Sequence, residues 1–131
     1  MKHTSVGAII KIEDKILMLD RAFFPLGWAC PAGHLKRGES PEEALNRIVL
    51  DEAKLEVLEY KLLIHEFVDW NECRMGAKGH DWYVYEVIKW GGEFSCNVEA
   101  KDMGCFDEQE IMELELEMVW NHWFSELNII K

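Results

Sequence analysis

Two adjacent carboxylates, Asp51 and Glu52, with Arg47 one turn earlier, are the residues whose type and spacing could do chemistry. Plotted on a helix at about 100° per residue, residues 41–54 put Ala44, Leu45, Ile48, Val49 and Ala53 on one apolar arc. Glu52 falls inside that arc, and Asp51 sits at its edge. A carboxylate in an apolar stripe is costly unless a cation, a hydrogen-bonding network or a cavity receives it. Two readings follow. In one, Glu52 forms a salt bridge to Arg47 or another base. In the other, Asp51 and Glu52 hold a divalent metal at the mouth of a cleft. Mg²⁺ takes oxygen ligands and often needs only one or two carboxylates plus substrate phosphates.

The segment before these residues has a glycine near each end, Gly33 and Gly38, and two adjacent cations, Lys36 and Arg37. Glycine lets the backbone turn sharply and approach a ligand closely. Lys36 and Arg37 could meet phosphate oxygens, although solvated Lys-Arg pairs are common. Ser40-Pro41-Glu42-Glu43 then supplies an N-cap serine, a proline at the first helical position and a glutamate at the third. This capping box predicts a helix from about Pro41 to Lys54.

The elements that must position this helix are legible around it. Residues 5–12 and 16–20 are β-rich runs, and Glu13-Asp14-Lys15 between them predicts a hairpin. Residues 56–69 and 81–90 predict long strands, joined by a polar loop at 71–79, and Gly91-Gly92 is a turn. From Asp107 onward Met112, Leu116, Val119, Trp120, Trp123 and Leu127 recur at helical spacing and should pack on the sheet. Strands, a helix, more strands and a final helix predict a mixed α/β sandwich. With no internal repeat or linker, residues 1–131 are expected to form a single domain.

Composition excludes some classes. The chain has 131 residues, 49% apolar and 30% charged, as a folded globular domain requires. No apolar run approaches the roughly 20 residues that span a bilayer, so no membrane partner is expected. A net charge of -11 repels nucleic-acid polymers and anionic lipids, but not small anions in a locally cationic or metal-bearing cleft. Cys30, Cys73, Cys96 and Cys105 form no C-x-x-C pair, and reduced thiols in a cytoplasmic protein are expected. Met1 to Ser5 lead straight into a strand-like run with no signal-peptide core, which agrees with that compartment.

Residues 33–55 resemble the signature of the Nudix hydrolase (MutT-like) family. That pattern is Gly, five residues, Glu, seven residues, then Arg-Glu-apolar-any-Glu-Glu-any-Gly-apolar. Gly33, Glu39, Arg47, Val49, Glu52 and Leu55 stand at the required positions. The flanking Trp28-Ala29-Cys30-Pro31-Ala32 and Gly38–Ala44 are also similar to the family. Three positions depart from it: Ile48 replaces the Glu after Arg, Asp51 replaces a Glu, and Lys54 replaces the Gly that ends the helix.

The resemblance implies a Nudix-type α/β/α sandwich with a mixed β-sheet. It implies metal-dependent hydrolysis of a nucleoside diphosphate linked to another moiety. Mg²⁺ or Mn²⁺ would bind Glu52, Asp51, the Gly33 carbonyl and Glu99, the last by analogy with members that take a ligand from a later loop. Glu99 as an exposed loop acid is the competing reading. Arg47, paired with Glu39, would orient the helix carboxylates. Arg21, Lys36 or Arg37 could hold phosphate, and Phe24, Trp70 or Trp82 could stack on a base. His34 and His80 are reserve proton acceptors on generic grounds. Ile48 supports the alternative, a catalytically weakened or inactive nucleotide-binding or regulatory protein. The Trp- and Met-rich C-terminal segment can be core or the surface of a homodimer, and the sequence leaves both open.

Overall fold

A computed structural model of the chain describes residues 2–21, 26–70, 79–93 and 103–130. Strand β1 (Lys2–Ile12) turns into β2 (Lys15–Arg21). The turn residues Glu13 and Asp14 both have positive φ, 53° and 66°. Two left-handed residues match the right-handed twist of a tight hairpin. Short strands β3 (Gly27–Ala29) and β4 (Ala32–His34) lead to helix α1 (Pro41–Ala53). Two 13-residue strands follow, β5 (Glu56–Val68) and β6 (Gly79–Gly91), then β7 (Met103–Phe106), α2 (Glu108–Met112) and α3 (Met118–Glu126).

The sheet runs β3-β2-β1-β6-β5, with β4 pairing β1 and β7 pairing β2. β1 and β6 are parallel, and the other pairings are antiparallel. Alternation along β1 divides the core. Val6, Ala8, Ile10 and Ile12 pack with Ala44, Leu45, Ile48, Val49 and Ala53 of α1. Ile9 packs on the other side with Val119, Trp120, Trp123 and Phe124 of α3. The fold is therefore the expected α/β arrangement, a mixed sheet between helices. β5 lies at the sheet edge, exposes Leu58, Tyr60 and Leu62, and breaks register with β6 in three places.

The capping box forms as the sequence predicts. Ser40 Oγ accepts from Glu43 N at 3.1 Å, and Glu43 Oε1 accepts from Ser40 N at 2.9 Å. Tyr85 donates to Glu42 Oε2 at 2.5 Å and ties the first turn of α1 to β6.

Two expectations need correction. The C-terminal pattern is not one helix: α2 ends at Met112, and Leu116 pairs with Trp28 as a β-bridge before α3 begins. Met112 and Met118 are exposed, whereas Val119, Trp120, Trp123 and Phe124 are core. The four cysteines are not all free thiols, because Cys105 is disulfide-bonded. Cys30 is free and buried.

α1 ends at Lys54, which takes the left-handed conformation with φ 59° and ψ 32°. A side chain there costs about 1–2 kcal/mol that glycine avoids. Lys54→Gly should therefore raise unfolding free energy by about 1 kcal/mol in urea titration, net of glycine's entropy cost.

Candidate functional site

The apolar face of α1 carries Glu52 to the sheet. Its carboxylate is mostly buried and accepts a hydrogen bond from the Ala32 backbone N–H at 3.1 Å. Burial raises its pKa from 4.5 to about 7, and the charge of Asp51 adds to the rise. The Ala32 N–H, Arg21 and Arg47 act against it. Asp51 lies beside it on the exposed side of the helix.

Arg47 does not form a salt bridge with Glu52. Its Nε donates to Glu39 Oε2 at 2.8 Å, and one terminal nitrogen donates to Glu39 Oε1 at 3.0 Å and to the His34 carbonyl at 2.9 Å. Glu39 also accepts from Lys36 N at 2.9 Å. The guanidinium and this N–H hold the Glu39 carboxyl down at about 2. This forked pair fastens the segment between β4 and α1. Arg47 thus acts on Glu52 and Asp51 only through space.

Ile48 is 3% exposed and sits under Gly33. A Cβ on Gly33 would stand 3.3 Å from Ile48 Cδ1 and Cγ1. The position that holds a carboxylate in the family pattern is here filled with carbon and packed into the core.

Arg21, at the end of β2, brings a further positive charge to the site. Its charge reaches Glu52, Glu117 and His34, and its Nε lies 3.9 Å from Glu117 Oε2. Glu117 is a residue the sequence reading missed. It is 4% exposed, and burial raises its pKa to about 7 against the pull of Arg21. The segment before α3 places it. Trp28 N donates to Glu115 O at 2.8 Å, and Glu117 N donates to Trp28 O at 2.9 Å. The available signal was the alternation Glu113-Leu114-Glu115-Leu116-Glu117, a strand-like period inside a helical stretch.

The other expected residues lie apart. Lys36 and Arg37 are exposed on the segment between β4 and α1. Trp82 is 5% exposed, edge-on to Trp120 and inclined to Trp123, so its place is the α3-side core and not a stacking platform. Trp70 is exposed and edge-on to His122. Phe24 and Glu99 lie outside the described residues. His34 is half-buried, with its pKa lowered to about 4 by burial, then by His3, His80 and Arg21.

Glu52 and Asp51 offer only oxygen donors. The burial that makes the Glu52 carboxylate reluctant to ionise would be offset by a bound cation. The donor set therefore fits a hard divalent ion such as Mg²⁺, with one carboxylate fewer than the family pattern.

This chain belongs to the NUDIX domain family, whose profile matches residues 1–127. No curated protein sequence matches it. Among solved structures, the MutT NUDIX hydrolase from Burkholderia pseudomallei superposes with a TM-score of 0.75 at 21% identity, covering 97% of this chain and 98% of that one. A NUDIX hydrolase from Nitrosomonas europaea gives 0.70 at 20%, covering 98% and 89%. The NUDIX domain of Shewanella oneidensis NrtR, solved in complex with ADP-ribose, gives 0.72 at 14%, covering 98% and 87%. At these identities the likeness establishes the fold.

Two measurements test the site's construction. A group whose pKa is raised on folding stabilises the fold below its unfolded pKa, and that stability is lost as pH rises through the folded value. In chelator, wild-type stability relative to Glu52→Gln should fall by on the order of 2 kcal/mol between about pH 4.5 and 7.5. The comparison cancels His34, whose lowered pKa acts in the opposite direction. Gly27 has φ +122°, and a Cβ there would stand 2.5 Å from the Glu117 backbone nitrogen. Gly27→Ala should lower unfolding free energy by roughly 2–4 kcal/mol.

Proposed function

We propose that this protein is a metal-dependent hydrolase of a nucleoside diphosphate linked to another moiety. The observation that carries this reading is the mostly buried Glu52 carboxylate, held by the Ala32 N–H beside Asp51 and within reach of the Arg21 charge. Asp51 and Glu52 would hold Mg²⁺ or Mn²⁺, with the Gly33 carbonyl and Glu99 as further donors. Bound there, the ion supplies charge neutralisation on pyrophosphate oxygens and a lower pKa for an attacking water.

The chain's own residues have separable tasks. Arg21 offers a guanidinium to phosphate oxygens, close to the reacting bond and partly neutralised by Glu117. The Arg47–Glu39 fork holds the β4–α1 segment, so that the Ala32 N–H and the Glu52 carboxylate keep their relative positions. Lys36 and Arg37, exposed on the segment between β4 and α1, would meet phosphate oxygens of the substrate. The ADP-ribose complex of the NrtR domain supports a small nucleotide as the class of ligand. The acidic surface favours such a ligand over a nucleic-acid polymer.

Ile48 supports a second reading, a nucleotide-binding protein that has given up catalysis. A carbon side chain packed under Gly33 cannot accept a proton or ligate a metal.

Hydrolysis assays decide between the two. The panel should include nucleoside triphosphates, dinucleoside polyphosphates, nucleotide sugars and ADP-ribose, with Mg²⁺ and Mn²⁺. Wild-type turnover that falls by about a hundredfold or more in Glu52→Gln is the expected result. A silent wild type whose Ile48→Glu variant turns over would replace the first reading with the second.

A further inference from the structure

Three histidines far apart in sequence meet on the sheet. Parallel pairing of β1 with β6 sets His3 opposite His80. Antiparallel pairing of β1 with β4 sets His34 opposite Ser5, two residues along β1 from His3. Strand alternation therefore places all three on one face. It is the face of Ile9, opposite the one that Val6, Ala8 and Ile10 present to α1. One ring nitrogen from each histidine lies within 4.8 Å of those of the other two. His34 and His80 stack at 5.5 Å with an 18° interplanar angle, and His3 stands edge-on to both at 4.6 and 5.8 Å.

We propose that His3, His34 and His80 form a binding site for a borderline divalent cation of the zinc type, separate from the carboxylates of α1. The donor set is all imidazole, which suits Zn²⁺, Co²⁺, Ni²⁺ or Cu²⁺ and not Mg²⁺. Tetrahedral zinc with bonds of about 2.0–2.1 Å needs nitrogens roughly 3.4 Å apart. Binding therefore requires the nitrogens to draw together by up to about 1.4 Å, on rings whose backbone is a paired sheet and not a loop. Three protein donors leave a fourth position for water or a ligand atom. His80 is 1% exposed and forms the floor, while His3 and His34 are half-buried and form the open side. Arg21 acts on His34 and opposes a cation there, but its ion pair with Glu117 offsets part of that charge. A second cluster, Glu66, His122 and Glu126, is already joined by contacts of 3.0 and 3.3 Å and serves as the control.

The test uses the full chain without a histidine tag, stripped by chelator and titrated with Co²⁺ in excess Mg²⁺. Visible d–d absorption and equilibrium dialysis are the readouts. One tetrahedral Co²⁺ per chain is expected, displaced by Zn²⁺ but not by Mg²⁺. His3→Gln and His34→Gln should each weaken it by at least about tenfold, whereas His122→Gln should leave it unchanged. Circular dichroism of each variant establishes that it is folded, and either of the two partly exposed histidines suffices if the other variant misfolds. Failure to bind Co²⁺, binding that survives in folded His3→Gln or His34→Gln, or loss of binding in His122→Gln would each overturn the proposal.

Discussion

The burial of one face of α1 against β1 is the constraint on which the rest of the structure depends. Ala44, Leu45, Ile48, Val49 and Ala53 fix the rotation of the helix about its axis. Once that rotation is fixed, Glu52 has nowhere to go but the margin of the core. Its oxygen meets a backbone N–H of β4 there, and its neighbour Asp51 faces water. The geometry of the candidate site is thus a by-product of apolar packing, maintained at the cost of a carboxylate that resists ionisation.

Two guanidiniums divide the work around this helix. Arg47 is committed to the Glu39 fork and the His34 carbonyl, and it reaches Glu52 only through its charge. Arg21 stands among groups of mixed character, with Glu117 at 3.9 Å and Glu52 and His34 within its field. In a chain of net charge -11, Arg21 lessens the negative field beside Glu52.

What the sequence made legible follows from locality. The capping box and the apolar arc of α1 are written in one short stretch of sequence, and so are the β1–β2 hairpin and the Arg47–Glu39 pairing. Long strands could be seen because β-branched and aromatic residues persist through 56–69 and 81–90. Features that depend on chain return were hidden. Glu117 reaches the site only because residues 115–117 pair with Trp28. The three histidines meet only through strand register. Stacking and core packing both stayed open for Trp82, because an aromatic on a strand looks the same whether it faces a cleft or Trp120. Ile48 was identified as a departure from the pattern, but only its contact with Gly33 shows that the missing carboxylate has been replaced by well-packed core.

The edge strand β5 carries one further consequence. Among the described residues no strand pairs with its outer side, and exposed Leu58, Tyr60 and Leu62 make that side a template for edge-to-edge association. Three register breaks twist that edge, and Glu56, Glu59, Lys61 and Glu66 stud it with charge. Three of those four charges are carboxylates, in a protein whose isoelectric point is about 4.8. Its colloidal behaviour is therefore tied to acidity. Near the isoelectric point the electrostatic guard weakens, and the irregular backbone is left to keep neighbouring molecules from zipping together.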